Sequence, residues 1–279
     1  MYFVCCGVCR RWVGAGAVAA FAFGAHAGNP FATQVVGYDA GVGAVPGFMD
    51  ASTALGSATR FTGESAGFPS VVSPFSPPFG ADEIVSVGFG GSLTLGFDMP
   101  IVDSAVNPFG VDFIVFGNAG FIDTSFPNGS VGANPAMFGV GAAVRVEASM
   151  DGSTWFDVET RQLDLMPTLG YLDGGPFDSV PGAVETNFRV AMDPSLGLSD
   201  LAGLEYTELV DLYGRSGGGI GFDLSSSGLS EASYIRLSHA GLSGETFEID
   251  AVSIVPAPAS LSLVFFGCLS AVRCRRASA

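Results

Sequence analysis

The residues that could do chemistry in this sequence fall into three groups. Asp98, Asp103 and Asp112 lie close together near predicted strand ends, with Asn107 and Asn118 beside them. Carboxylate and carbonyl oxygens are the ligands that Ca²⁺ gathers in sets of six to eight, so these three aspartates are the expected Ca²⁺ site. No EF-hand loop occurs, and a solvated acidic rim is the alternative. Glu248 and Asp250 are a second group, flanking Ile249. Retaining glycoside hydrolysis needs two carboxylates about 5–5.5 Å apart. Alternation along that strand turns Phe247, Ile249 and Ala251 inward and leaves Glu248 and Asp250 outward. The third group is aromatic: Trp155, Tyr171 and Tyr213 stand near loops and could offer a ring to a sugar, although Trp155 can equally pack beside the Asp151-Gly152 turn. Nucleophilic and zinc chemistry have little to work with. The two histidines are His26 and His239, no G-x-S-x-G elbow occurs, and Cys5, Cys6, Cys9, Cys268 and Cys274 all lie near the ends. The expectation is a protein that is not an enzyme.

The scaffold must be rich in turns and aromatic core. The 279 residues include 40 Gly and 24 Phe, 48% are hydrophobic and only 14% are charged. All eleven cations are Arg against 27 Asp and Glu, a net charge of −16, which excludes nucleic acid and anionic lipid as partners.

Both ends read as targeting segments. Arg10 and Arg11, an apolar run over 12–24 and Ala25-His26-Ala27 make a secretory signal peptide over 1–27, cut after Ala27. At the other end Pro256-Ala257-Pro258 precedes an apolar stretch over 259–272 and the basic Arg273, Arg275 and Arg276. Charge bias would hold those arginines in the cytoplasm and the rest of the chain outside. This tail, 256–279, resembles the PEP-CTERM sorting signal, with Ala257 where that motif has Glu. The resemblance implies export, transient anchoring by the C-terminal helix, and processing by an exosortase-type membrane protease at a bacterial envelope. Without the ends, 28–255 carries six Arg against all 27 acids, a charge of −21, and no cysteine.

Between the ends, 28–80 reads as irregular and period-two alternation begins near Ile84. Leu93, Leu95 and Phe97 alternate with small polar residues, and Phe113-Ile-Val-Phe116 is a buried run. Val144, Val146 and Ala148 face inward with Arg145, Glu147 and Ser149 outward, leading into an Asp151-Gly152 hairpin turn. One short helix is expected within Asp200–Tyr213, ended by Gly214, and 164–187 reads as a long loop. The expected fold is all-β: a jelly-roll-like β-sandwich with one short helix, a single ectodomain over 28–255 with its core at 82–254.

Val146-Glu-Ala-Ser-Met-Asp151-Gly152-Ser-Thr-Trp155 resembles a hairpin of galactose-binding-like, discoidin-type jelly rolls. Gly90–Phe97, Asp112–Asn118, Gly221–Leu224, Tyr234–Leu237 and Phe247–Val252 are similar to other strands of such ectodomains. The resemblance implies a structural Ca²⁺ and extracellular polysaccharide as partner. Glu248-Ile249-Asp250 also resembles part of a laminarinase-type glycosidase signature, but Val252 and Ser253 stand where its second Glu would fall. The expected function is a non-catalytic cell-surface or matrix protein that binds polysaccharide. A purely structural or adhesive envelope protein is the alternative, and an acidic-residue hydrolase the third reading.

Overall fold

The computed structural model describes residues 28–163 and 165–256. The expected leader with Ala25 and Ala27 lies outside the described residues, as do Ala257, Pro258, the 259–272 segment, Arg273, Arg275 and Arg276. Among the described residues no helix is long and apolar enough to cross a membrane.

Those residues form fourteen strands and one α-helix. In chain order they are β1 (Gln34–Asp39), β2 (Phe61–Thr62), β3 (Ser70–Val71), β4 (Val85–Val87), β5 (Ser92–Val102), β6 (Phe113–Phe116), β7 (Gly120–Phe121), β8 (Met137–Phe138), β9 (Val144–Ser149) and β10 (Phe156–Arg161). Helix α1 (Tyr206–Tyr213) follows, then β11 (Ile220–Phe222), β12 (Glu231–His239), β13 (Phe247–Ile249) and β14 (Ala251–Ile254).

The largest sheet is antiparallel, in the order β1-β5-β12-β9-β10. Alternation builds its inner face: Val35, Leu95, Ile235 and Ala148 stand in register as one row, and Leu93, Leu237 and Val146 as the next. A three-stranded sheet, β11-β6-β14, lies across it, with the β13-β4 pair beside. The fold is an all-β sandwich with one α-helix. Strand β6 explains why no polar residue interrupts Phe113–Phe116. Phe113 and Val115 join the main core between the sheets, while Ile114 and Phe116 join a second cluster with Phe188, Val111 and Ala251. A strand covered on both faces has no side for water. Phe113 stacks on Phe222 with ring centroids 5.2 Å apart, and burying each such ring contributes about 2–3 kcal/mol.

Three expectations change. The stretch 28–80 holds an edge strand, β1, whose bulge between Val35 and Gly37 breaks the alternation that would have announced it. The helix spans only Tyr206–Tyr213; Leu198–Leu201 forms a separate 3₁₀ turn. Glu147 and Asp250 are buried rather than outward, at 3% and 2% exposure. Glu147 is covered because Arg236 and Trp155 lie over its side of the sheet. Asp250 sits where the chain leaves β13, paired with β4, and enters β14, paired with β6, so the alternation does not carry through it.

Candidate functional site

Two of the three expected metal ligands come together. Asp103 follows β5, Asp112 precedes β6 and Asp223 follows β11, so three strand ends converge. One carboxylate oxygen from each lies within 4.8 Å of the others, about twice a Ca–O bond length. Asp98 does not belong; it is exposed within β5. The intervening loop folds back through Phe109 and Gly110, both at positive φ (60° and 71°). That return places Asp112 under Ser104, whose N–H donates to Asp112 Oδ1 at 3.1 Å. Asn107 Nδ2 donates to the same oxygen at 2.8 Å, and the Leu224 N–H donates to Oδ2 at 2.9 Å.

Those three bonds leave Asp112 lone-pair capacity for a further ligand bond. Burial raises the Asp112 carboxyl above its ordinary range, the three hydrogen bonds pull it back, and the Asp223 charge raises it again. Asn107 is buried, and its Oδ1 has no hydrogen-bond partner among the described residues. Three carboxylates are a hard donor set, without nitrogen or sulfur, and could hold a cation of the Ca²⁺ type. Sequence reasoning missed Asp223 because only the pairing of β11 with β6 brings it to Asp112.

The expected sugar-facing aromatics are not available as platforms. Trp155 is half-buried, with the Arg236 guanidinium 4.2 Å from its ring centre. Tyr171 and Tyr213 are 9% and 3% exposed. Tyr213 lies in the core and donates its hydroxyl to the Pro167 carbonyl at 2.8 Å, and burial raises its phenol well above the ordinary value. Short residues around Tyr171 explain its covering: a methyl on Gly182 would sit 2.8 Å from its Cβ.

The same loop instead builds an open cavity of about 400 Å³ against α1, lined by Leu172, Asp173, Gly174, Gly175, Tyr206, Thr207, Val210 and Asp211. The helix contributes positions i, i+1, i+4 and i+5, one contiguous face. Gly214, at φ 60°, ends it. Asp173 fixes the loop by accepting the Ala183 and Val184 N–H groups, both at 2.9 Å, and these bonds hold its carboxyl below the ordinary range. Tyr206 is 8% exposed and its hydroxyl has no hydrogen-bond partner among the described residues. Burial, and then the charge of Asp178, push that phenol well above its usual value.

Rings lead from this cavity to the surface. Tyr206 lies 6.3 Å from Phe75, Phe75 6.5 Å from Phe177, and Phe177 5.1 Å from Phe126, between centroids. Phe126 is 74% exposed. Asp123 steadies its loop by accepting the N–H groups of Ser125, Gly129 and Ser130 at 2.8–3.0 Å. Apolar ring faces beside carboxylates and hydroxyls are the combination that grips a sugar: ring carbons against aromatic faces, sugar hydroxyls on carboxylates. Nothing local in the sequence marked Tyr206, whose helical context reads as core.

Glu248 opens on a second cavity, about 340 Å³, with Glu245 and Thr246. Asn118 donates an amide hydrogen to it, and burial raises its carboxyl. Asp250 does not share that cavity. It is sealed under the Thr59 backbone N–H and hydroxyl, at 2.9 Å each.

No family model matches the sequence, and no curated protein matches it. Among solved structures, the chain is similar to "CBM32-3 from a family 31 glycoside hydrolase from Clostridium perfringens", at 12% identity over 61% of this chain and 74% of that one, with a TM-score of 0.26. A likeness of that size transfers no ligand from one chain to the other.

Proposed function

We propose that this protein is a non-catalytic, jelly-roll-like module of the cell envelope that binds extracellular polysaccharide in the cavity between α1 and the 172–175 loop. The observation that carries the reading is a cavity against α1 in which the aromatic Tyr206 stands with Asp173, Thr207 and Asp211. The leader over 1–27 and the tail over 256–279 are the means of export, with exosortase-type processing and transient membrane anchoring; support for both is the sequence alone. A glycosidase reading gains nothing from Glu248 and Asp250, since Asp250 is held away from solvent.

Retention of the full chain on the host's own polysaccharide tests the proposal. Asp211→Asn and Phe126→Ala should each weaken binding roughly tenfold, about 1.4 kcal/mol, and Tyr206→Phe less. Retention of all three variants equal to the parent, or no retention of the parent, would leave the structural or adhesive reading in its place.

A further inference from the structure

A different feature of the molecule lies in its few positive charges. Six arginines stand among the described residues, in a chain dominated by acids. Four have carboxylate partners: Arg60 with Glu185, Arg145 with Asp157, Arg161 with Glu159 and Arg236 with Glu147. Arg215 is exposed and solvated by water. Arg189 fits neither case. It is half-buried, its Nε is buried without a hydrogen-bond partner, and no carboxylate among the described residues lies within ion-pair distance. Its Nη1 and Nη2 are not buried in this way, so they are the donors that a ligand would meet.

Arg189 opens on a pocket of about 260 Å³ whose other walls are Pro108, Asn187, Val190, Val255 and Pro256. Its backbone is held rigidly. Asn187 Oδ1 accepts the Arg189 N–H at 3.0 Å, the Asn187 N–H donates to the Arg215 carbonyl at 2.8 Å, and Ser216 and Ser253 hydroxyls donate to the carbonyls of Val190 and Phe188. Oδ1 is committed to that turn, and Asn187, which lines the pocket, keeps its Nδ2 as a donor. The polar side chains of the lining, Arg189 and Asn187, therefore offer donors, and the remaining side chains are apolar.

We propose that this pocket binds a carboxylate carried on a compact body, with the Arg189 guanidinium gripping both oxygens and Asn187 Nδ2 adding a third donor. The planar fork of arginine matches two carboxylate oxygens. The surrounding negative charge disfavours dianions such as sulfate or phosphate, whose second charge would find no partner.

Titration calorimetry of the full chain with glucuronate, propionate, glucose and inorganic sulfate tests this. Glucuronate and propionate should both bind and sulfate should not, and any glucose binding, which belongs to the cavity at α1, should be indifferent to Arg189→Gln. Tighter glucuronate binding would identify a sugar acid as the source, and equal affinities a plain carboxylate. Arg189→Gln should weaken carboxylate binding tenfold or more, and Arg189→Lys should recover only part of it. Thermal unfolding of each variant confirms that it folds. Sulfate binding as tightly as the carboxylates, carboxylate binding indifferent to Arg189→Gln, or no carboxylate binding by the parent would overturn the assignment.

Discussion

At the scale of single residues, Asp250 sets a pH dependence. Burial raises its carboxyl from 3.8 to about 7, against the opposing bonds from Thr59 and with a further push from Glu83. The folded state therefore holds this proton more tightly than the unfolded chain, whose aspartate titrates near 3.9. Between those two values the folded state binds more protons, so stability falls as pH rises. This group alone contributes a slope of about −1.4 kcal/mol per pH unit over that window. Urea unfolding at pH 5 and pH 7 should show the parent less stable at pH 7. In Asp250→Asn the amide oxygen still accepts from Thr59 but cannot ionise, so much of that difference should vanish. An unchanged difference in the variant would place the titrating group elsewhere.

At the scale of elements, the β9-β10 hairpin shows what alternation can and cannot say. Its turn was legible: Asp151 accepts the Ser153 and Thr154 N–H groups at 2.8 Å, and Gly152 takes the positive φ of 72° that Asp-Gly foretells. The inward set Val144, Val146 and Ala148 was legible too. Alternation gives the side of a sheet and not the depth of cover over it, which is why Glu147 was misread. Its carboxylate takes two bonds from Arg236, at 2.7 and 2.8 Å, and lies 3.3 Å from Arg145, under Trp155. The same limit hid the cavity at Tyr206 and the acid cluster at Asp223, since both are assembled by loops and strand ends distant in sequence. Removing Arg236 takes two charged hydrogen bonds from the buried Glu147 and leaves it Arg145 alone, so Arg236→Met should destabilise the protein by roughly 2 kcal/mol. The double variant with Glu147→Leu should recover much of that loss. Chemical denaturation of the three proteins measures the coupling, and additive effects would mean that the pair carries no special weight.

At the scale of the whole molecule, the acid cluster acts across the sandwich. Asp103 belongs to the end of a strand in the five-stranded sheet, whereas Asp112 and Asp223 belong to strands of the three-stranded sheet. Three carboxylates gathered at that junction repel one another. With a cation bound, the same groups fasten sheet to sheet and relieve part of the chain's negative charge. Ca²⁺ at a hundred times its dissociation constant should stabilise the fold by about 2.7 kcal/mol, a rise in Tm of roughly 5–10 °C for a domain of this size. EDTA should reverse it. Asp103→Asn should lose most of the increment while leaving the protein's stability in EDTA equal or higher, because a repulsive charge has gone. Sodium chloride at matched ionic strength separates this from general screening of the acidic surface. A Tm that millimolar Ca²⁺ leaves unmoved, or moves equally in parent and Asp103→Asn, would reduce the cluster to a solvated rim. The two sheets would then be held by the shared core of Leu95, Phe113, Val146 and Ile235 alone.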